Sequence, residues 1–168
     1  MKTPEVEKLQ LENLFTVGDV LEIIEQQHPP ALIGKDRYRD QYKLSYLKLG
    51  NTLVYKADEI KKMGTHLAMY PRRGGPLSSE QQEQSLRNFE KRFADVSARV
   101  SSERTGPVKE YCDIEVAVKI LKVRSREGVY WHSDFRNGKV RTIKIGRTHL
   151  YHKDDLAQVA EPWLALLK

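Results

Sequence analysis

A fifteen-residue pattern occurs twice in this chain, and a duplication constrains a fold more than any single stretch can. Residues 46–60 run Tyr46-Leu47-Lys48-Leu49-Gly50-Asn51-Thr52-Leu53-Val54-Tyr55-Lys56-Ala57-Asp58-Glu59-Ile60. Residues 142–156 run Thr142-Ile143-Lys144-Ile145-Gly146-Arg147-Thr148-His149-Leu150-Tyr151-His152-Lys153-Asp154-Asp155-Leu156. Lys48/Lys144, Gly50/Gly146, Thr52/Thr148, Tyr55/Tyr151 and Asp58/Asp154 are identical. Leu47/Ile143, Leu49/Ile145, Val54/Leu150, Glu59/Asp155 and Ile60/Leu156 keep their chemistry. Average residue usage gives roughly one identity over such a length. Two copies of one unit are therefore expected.

Each copy has the pattern of a hairpin followed by a helix. Leu47 and Leu49 alternate with Lys48, and Ile143 and Ile145 with Lys144, which is strand periodicity. Gly50-Asn51 and Gly146-Arg147 supply two-residue turns, because glycine accepts positive φ. Asp58 or Asp154 then opens a polar first turn, and Ile60 or Leu156 begins an apolar face.

The repeat extends upstream. Thr16 to Ile24 matches Asp113 to Leu121, with Thr16 and Asp113 as N-caps. Val17, Val20, Ile23 and Ile24 fall at helical spacing, as do Ile114, Ala117, Ile120 and Leu121. Each copy thus has the order helix, polar turn, second helix, hairpin, helix, which is the order of a winged helix-turn-helix.

Each copy resembles the small winged helix-turn-helix DNA-binding domain of the MerR and excisionase superfamily, the second more closely. Val123-Arg124-Ser125-Arg126 is similar to that family's turn into the recognition helix. Asn137-Gly138-Lys139-Val140 is similar to the end of that helix, and Lys144 to Leu156 to the wing and the helix after it. The resemblance spans about two thirds of the chain. The second copy is longer than the family pattern between Ser125 and Gly138. The first copy departs further: it has His28-Pro29-Pro30 in place of the Ser-Arg turn, and Gln41-Tyr42-Lys43 without a glycine before the wing. Base reading is therefore expected more of the second copy than of the first.

Charge follows the same segments. The net charge is +6 over 168 residues. From Lys119 to Lys153 there are ten Lys and Arg against Glu127 and Asp134, a net of +8. From Ile24 to Lys56 there are six against three acids, a net of +3. The remainder is net acidic, so the basic charge sits on the two turn-helix-wing segments, as on a phosphate-binding surface.

In the second copy Ser125 is the N-cap candidate, and Trp131 and Phe135 are expected on the core side. That register turns Arg126, Tyr130, Ser133 and Asn137 outward, towards base edges. If the register differs by a residue, Val129 takes the core instead. Arg124, Arg136, Lys139 and Arg141 are further cationic candidates, and Lys144 and Arg147 frame the wing, which approaches the backbone or minor groove. The first copy offers Lys35, Arg37, Arg39 and Lys43, with Lys48 and Asn51 on its wing. Tyr38 and Tyr42 are expected to pack rather than stack on bases.

Between the copies lies Pro71-Arg72-Arg73-Gly74-Gly75-Pro76, a breaker-rich connector. Ser78 and Ser79 stand before Gln81 and Gln82 at capping-box spacing. Leu86, Phe89, Phe93, Val96 and Val100 then recur at spacings of three and four, an a/d seam. This predicts an amphipathic helix of roughly twenty residues ending at Gly106-Pro107. Two placements stay open for it: pairing with its copy in a second chain, or packing across the chain's own modules. The first is carried forward, as DNA readers of this shape commonly act as symmetric pairs. Val6, Leu9 and Leu14 suggest a further short helix over Pro4 to Leu14, and its role is not readable from the sequence.

The expected organisation is mainly α with small β-hairpins (α+β). It comprises an N-terminal extension over 1–14, one module over 15–70, a helical linker over 71–107 and a second module over 108–168. The single cysteine, Cys112, excludes an internal disulfide and is expected to be a buried thiol. His149 and His152 lack a third ligand at metal spacing, so no metal and no other cofactor is expected. No P-loop, dinucleotide fingerprint or nucleophile–base signature occurs, so no enzyme is expected. Met1 to Asn13 does not have the pattern of a signal peptide and no apolar run has membrane length. The resemblance implies a cytoplasmic, nucleoid-associated homodimer that binds double-stranded DNA as a transcriptional repressor, by occluding a promoter. No segment is long enough for a small-molecule effector domain. As a second reading it admits an excisionase-like architectural, recombination or partition factor of a mobile element. A protein-interaction adaptor is the alternative from another class, and the clustered basic charge argues against it.

Overall fold

A computed structural model describes residues 8–24, 44–70, 77–130 and 137–166, with side-chain burial given as far as residue 160. The chain is mixed α+β and carries two small antiparallel sheets. It divides into two units, the first built on Gln10–Lys48 and Leu53–Thr105, the second chiefly on Gly106–Lys168. No helix among the described residues is long and apolar enough to cross a membrane.

The first unit opens with a single 3-10 turn, Leu11–Asn13, and a short strand, β1 (Leu14–Thr16). The expected short helix over Pro4 to Leu14 is thus only this turn, and Pro4 to Glu7 lie outside the described residues. Helix α1 (Val17–Ile24) follows. Thr16 Oγ1 accepts the Asp19 N–H at 3.2 Å, and Asp19 Oδ2 accepts the Thr16 N–H at 2.9 Å. This reciprocal cap fixes the helix start by satisfying two backbone donors. The hairpin strands β2 (Tyr46–Leu49) and β3 (Thr52–Lys56) meet at Gly50, whose φ of 57° glycine adopts without strain. Helix α2 (Ala57–Met69) begins where the hairpin ends, with Asp58 and Glu59 in its first turn.

The second unit repeats this order. After α3 (Ser79–Glu103) of the first unit, a 3-10 turn, Val108–Glu110, leads into β4 (Tyr111–Cys112) and α4 (Ile114–Leu121). Asp113 caps α4 by accepting the Val116 N–H at 3.0 Å. A short helix α5 (Arg126–Tyr130), the hairpin β5 (Thr142–Ile145) and β6 (Thr148–His152), and α6 (Lys153–Leu166) complete it. Gly146 turns this hairpin with φ 58°.

The two sheets share one topology. In the first the order is β1-β3-β2, in the second β4-β6-β5. Even the register agrees: Phe15 faces Tyr55 as Cys112 faces Tyr151, and Leu14 faces Lys56 as Tyr111 faces His152. Tyr55 and Tyr151 are both buried, as are Ile60 and Leu156 and then Met63 and Val159. The duplicated residues therefore occupy the same places in two separate cores.

Helix α3 (Ser79–Glu103) corrects two expectations. Its capping box is present, with Ser78 Oγ accepting from Gln81 and Gln81 Oε1 accepting from Ser78. It runs for 25 residues, longer than the spacing suggested, because the helix carries on to an Arg104 cap. It is no free linker: it belongs to the first unit and closes that unit's core. Phe89, Val96 and Val100 are buried there, and Leu86 and Phe93 pack against the same cluster. The stripe Leu86, Phe89, Phe93, Val96 and Val100 is thus covered by its own chain, and the dimerisation assigned to it is corrected. Burial against α1 and α2 removes the apolar area that a two-fold seam would have used.

Polar contacts lock α3 down. Arg104 Nη2 donates to Asp19 Oδ2 at 2.7 Å and to the Leu14 carbonyl at 2.9 Å. Arg99 donates to Asp19 Oδ1 at 2.8 Å and to Glu22 at 2.7 Å. Arg92 Nε donates to the Ile23 carbonyl at 2.7 Å, in the last turn of α1, where carbonyls lack helical partners. Gly64 of α2 lets the Phe89 ring come so close that a Cβ there would lie 2.1 Å from a ring carbon.

Candidate functional site

The turn between α4 and α5 sets the register of the second unit's exposed face. Lys122 ends α4 in the left-handed region, φ 52° and ψ 35°. Its N–H donates to the Lys119 carbonyl at 3.3 Å, and the Val123 N–H to Val118 at 3.2 Å. These bonds satisfy carbonyls of the last turn and turn the chain sharply. Gly128 then packs on Val123, whose Cβ would stand 3.0 Å from any added Cβ.

Val129 is fully buried and Tyr130 is 53% exposed. The register is therefore the alternative one, in which Val129 takes the core. Trp131, Ser133, Phe135 and Arg136 lie outside the described residues. Arg124, Ser125 and Arg126 are exposed at the start of α5. A bond from its own backbone N–H and one from the Ser125 hydroxyl hold the Glu127 carboxyl below its ordinary range. The Ser125 carbonyl accepts the Gly128 N–H at 3.1 Å, so Ser125 stands at the entry to α5.

Arg126 is not alone. Its Nε donates to Glu115 Oε1, on the first turn of α4, and its Nη2 is ion-paired with the same oxygen. Both side chains are about half exposed, Arg126 at 56% and Glu115 at 54%. Glu115, Arg126 and Tyr130 line one groove with Arg147 and His149 of the β5–β6 hairpin. The second unit thus brings together the outward residues of the short helix and one flank of the hairpin. Asn137 and Lys139 are exposed before the hairpin, and Lys144 on β5 and Arg147 at the turn are exposed on it.

Arg141 is engaged otherwise than expected. Its Nε donates to Asp155 Oδ2 at 2.8 Å, its Nη2 to Oδ1 at 2.9 Å, and its own N–H to Oδ2 at 2.9 Å. This bidentate bond to Arg141, against some desolvation, holds the Asp155 carboxyl down at about 2, and the same bond raises the Arg141 guanidinium. The pair ties the base of the hairpin to the first turn of α6. The first unit makes the same tie with other residues: Glu59 accepts the Ser45 N–H at 2.7 Å and the Ser45 hydroxyl at 2.9 Å. Ser45 and Arg141, like Glu59 and Asp155, hold matching positions in the repeat. Arg141 is thus a clamp at the base of the hairpin, and its side chain stays 63% exposed.

His152 is buried beneath this clamp, with Arg141 Nη2 at 3.1 Å from its Nδ1 and the Tyr111 ring edge-on at 5.1 Å. No cluster of potential metal ligands occurs among the described residues. Burial pushes the Cys112 thiol up to about 11, which keeps it protonated at neutral pH and unsuited to nucleophilic attack.

In the first unit Lys48 on β2 and Asn51 at the hairpin turn are exposed. Lys35, Arg37, Arg39 and Lys43, with Tyr38 and Tyr42, lie outside the described residues. Sequence reasoning missed Glu115 and the clamp carboxylates. The clamp had a signal, since Glu59 and Asp155 fall at one position of the repeat; Glu115 had none, since its partner lies across a turn. No family model, curated protein or solved structure matches this chain.

Proposed function

We propose that this chain is a sequence-specific double-stranded DNA-binding protein made of two tandem winged helix-turn-helix units of the MerR and excisionase type. It acts as a non-catalytic transcriptional regulator, a repressor that occludes its promoter. One observation carries the reading. On the second unit Arg124, Arg126, Lys139, Lys144 and Arg147 are exposed on the helix start, the loop and the hairpin, within the segment whose net charge is +8. Cations on a helix and a hairpin of one unit suit a groove and its flanking phosphates together. The second unit is the principal reader, and the first unit supports it with Lys48 and Asn51. Because the α3 stripe is consumed within the chain, one copy binds one site, and the site need not be palindromic.

Selection from a random duplex pool tests the reading. Enrichment of a single asymmetric motif is expected; an unenriched pool overturns sequence-specific binding. Binding should weaken steeply with salt. With about six phosphates neutralised, log K falls against log salt at a slope near −5. A flat dependence removes the phosphate-binding surface from the proposal. Arg126→Ala should cost the selected site about 1–3 kcal/mol and a scrambled duplex much less. Lys144→Ala and Arg147→Ala should weaken both duplexes alike, because phosphate contacts position without specifying.

A further inference from the structure

We infer that Glu115 makes Arg126 a reader of base edges rather than a binder of phosphates, an inference that rests on the DNA-binding reading of the second unit.

The geometry of the pair is the reason. Glu115 takes only one edge of the guanidinium, the Nε–Nη2 edge, and takes it with a single oxygen, Oε1. Arginine has five N–H donors in a planar fork. With Nε and one Nη2 hydrogen engaged, both Nη1 hydrogens and the second Nη2 hydrogen remain. That end of the fork is the one that can meet two acceptors side by side, as guanine presents with O6 and N7. The pair therefore need not break for a base contact, and it holds the long side chain in one orientation beforehand.

A phosphate meets different conditions at the same place. The Glu115 carboxylate is half exposed beside the guanidinium, so an approaching phosphate meets a neutralised cation and a like charge. Breaking the pair exchanges one anion for another and gains little. A neutral, bidentate base edge suffers no such repulsion. Glu115 thus lowers binding to arbitrary sequence while leaving the favoured base contact available. It is a positioning residue that acts through Arg126.

The first unit supplies an internal contrast. Gly18 stands at the position of Glu115, and the sequence has His28-Pro29-Pro30, without an arginine, where the second copy has Arg124-Ser125-Arg126. The device belongs to the second unit alone, which is also the unit with the closer family resemblance.

Glu115→Gln keeps the shape and removes the charge. Binding of the full chain to its selected duplex and to a scrambled duplex would be titrated over a range of salt. The variant is expected to bind the scrambled duplex about three- to tenfold more tightly, as one more cation becomes free for phosphate, with its log–log salt slope steeper by about 0.9. The selected site should gain less, so the ratio between the two falls. In an Arg126→Ala background the same substitution should leave the ratio unchanged, which a merely structural role for Glu115 would not produce. Amide exchange on α4 checks that the variant is folded. Unchanged ratio and slope in Glu115→Gln, with wild type binding specifically, overturns this inference alone. A wild type that binds no duplex overturns the DNA-binding reading, and this inference with it.

Discussion

The two units share a skeleton and differ in what covers their first helix. In the first, α1 is held under α3, and the carboxylate of Asp19 is enclosed by Arg99 and Arg104. In the second, the matching position of α4 is Val116, 39% exposed. A polar residue is buried where a helix packs on it, and an apolar one is exposed where none of the described helices does. The usual rule is inverted at both places, and the added helix explains the first. Asp19 caps its own helix through Thr16 and so must be polar; α3 then supplies cations to a carboxylate already fixed there. The difference also divides the work proposed for them. In the first unit Arg92, Arg99 and Arg104 are engaged in internal contacts, whereas the second leaves Arg124, Arg147 and Lys144 exposed.

The largest effect should come from exchanging those residues. Asp19→Val gives the first unit the second unit's side chain and leaves Arg104, whose side chain is 3% exposed, without its carboxylate. Breaking a buried ion pair from one side costs about 3–5 kcal/mol. Val116→Asp in the second unit puts a charge on an exposed site and should change stability by only about 0.5 kcal/mol. Urea denaturation, with amide exchange followed separately in α1 and α4, measures both. Equal losses would mean that α3 does not distinguish the units in this way.

Gly64 and Ala160 allow a second exchange, since they hold matching places after the hairpin. Gly64→Ala thrusts a methyl into the buried Phe89 ring. The better helix propensity of alanine offsets part of that clash, and a net loss of about 1–3 kcal/mol is expected. Ala160→Gly meets no such ring and should cost about 1 kcal/mol from backbone freedom. A neutral Gly64→Ala would show that α3 can shift along α2 without penalty, and would loosen the comparison.

Much of this architecture was legible in the amino-acid order. Alternation through Leu47-Lys48-Leu49 and Ile143-Lys144-Ile145 gave both hairpins, the capped apolar runs gave α1 and α4, and the polar first turns at Asp58 and Asp154 gave α2 and α6. Strands β1 and β4 were not legible, because three or two residues such as Tyr111–Cys112 are too few to show a period. The α3 stripe announced that something must be buried but could not say against what. Asp19 and Arg104 are 85 residues apart, and no local pattern links such a pair. In the candidate site the exposed cations were foreseen, whereas their partners were not. Arg141 and Arg126 look alike in sequence, and only the fold shows one clamped by Asp155 and the other flanked by Glu115.

The hairpin clamps differ in charge, which makes acid a probe of the second unit. The Asp155 carboxyl is held at about 2, below its ordinary value, by the Arg141 bonds. A depressed carboxyl stabilises fully above its unfolded value near 4 and ceases to do so as pH falls through the folded value. Stability from this pair should therefore be lost between about pH 4 and pH 2. Arg141 is 63% exposed, so solvent screening keeps the contribution small. Asp155→Asn should lower neutral-pH stability slightly and flatten this part of the acid limb. An acid limb unchanged by Asp155→Asn would deny that the clamp carries charge-dependent stability.

The smallest effect tests the turn that sets the register of α5. Lys122 is the one non-glycine residue with positive φ among the described residues, and it is exposed. An L-residue in the left-handed region crowds its Cβ against the following carbonyl, which glycine avoids. The bonds to Lys119 and Val118 come from backbone N–H groups and survive the substitution. Lys122→Gly should therefore stabilise the second unit by about 0.5–1 kcal/mol, reduced by the entropy glycine adds to the unfolded chain. The melting temperature should rise by a few degrees, roughly as such a change does in a domain of this size. The charge lost is a single lysine, so the log–log salt slope on duplex DNA should fall by at most about 0.9, and the ratio of selected to scrambled binding should hold. A destabilised Lys122→Gly would mean that the lysine stem, rather than the backbone turn, fixes how α4 passes into α5. The contrast between an exposed second unit and a clamped first would then need a second clamp at this turn.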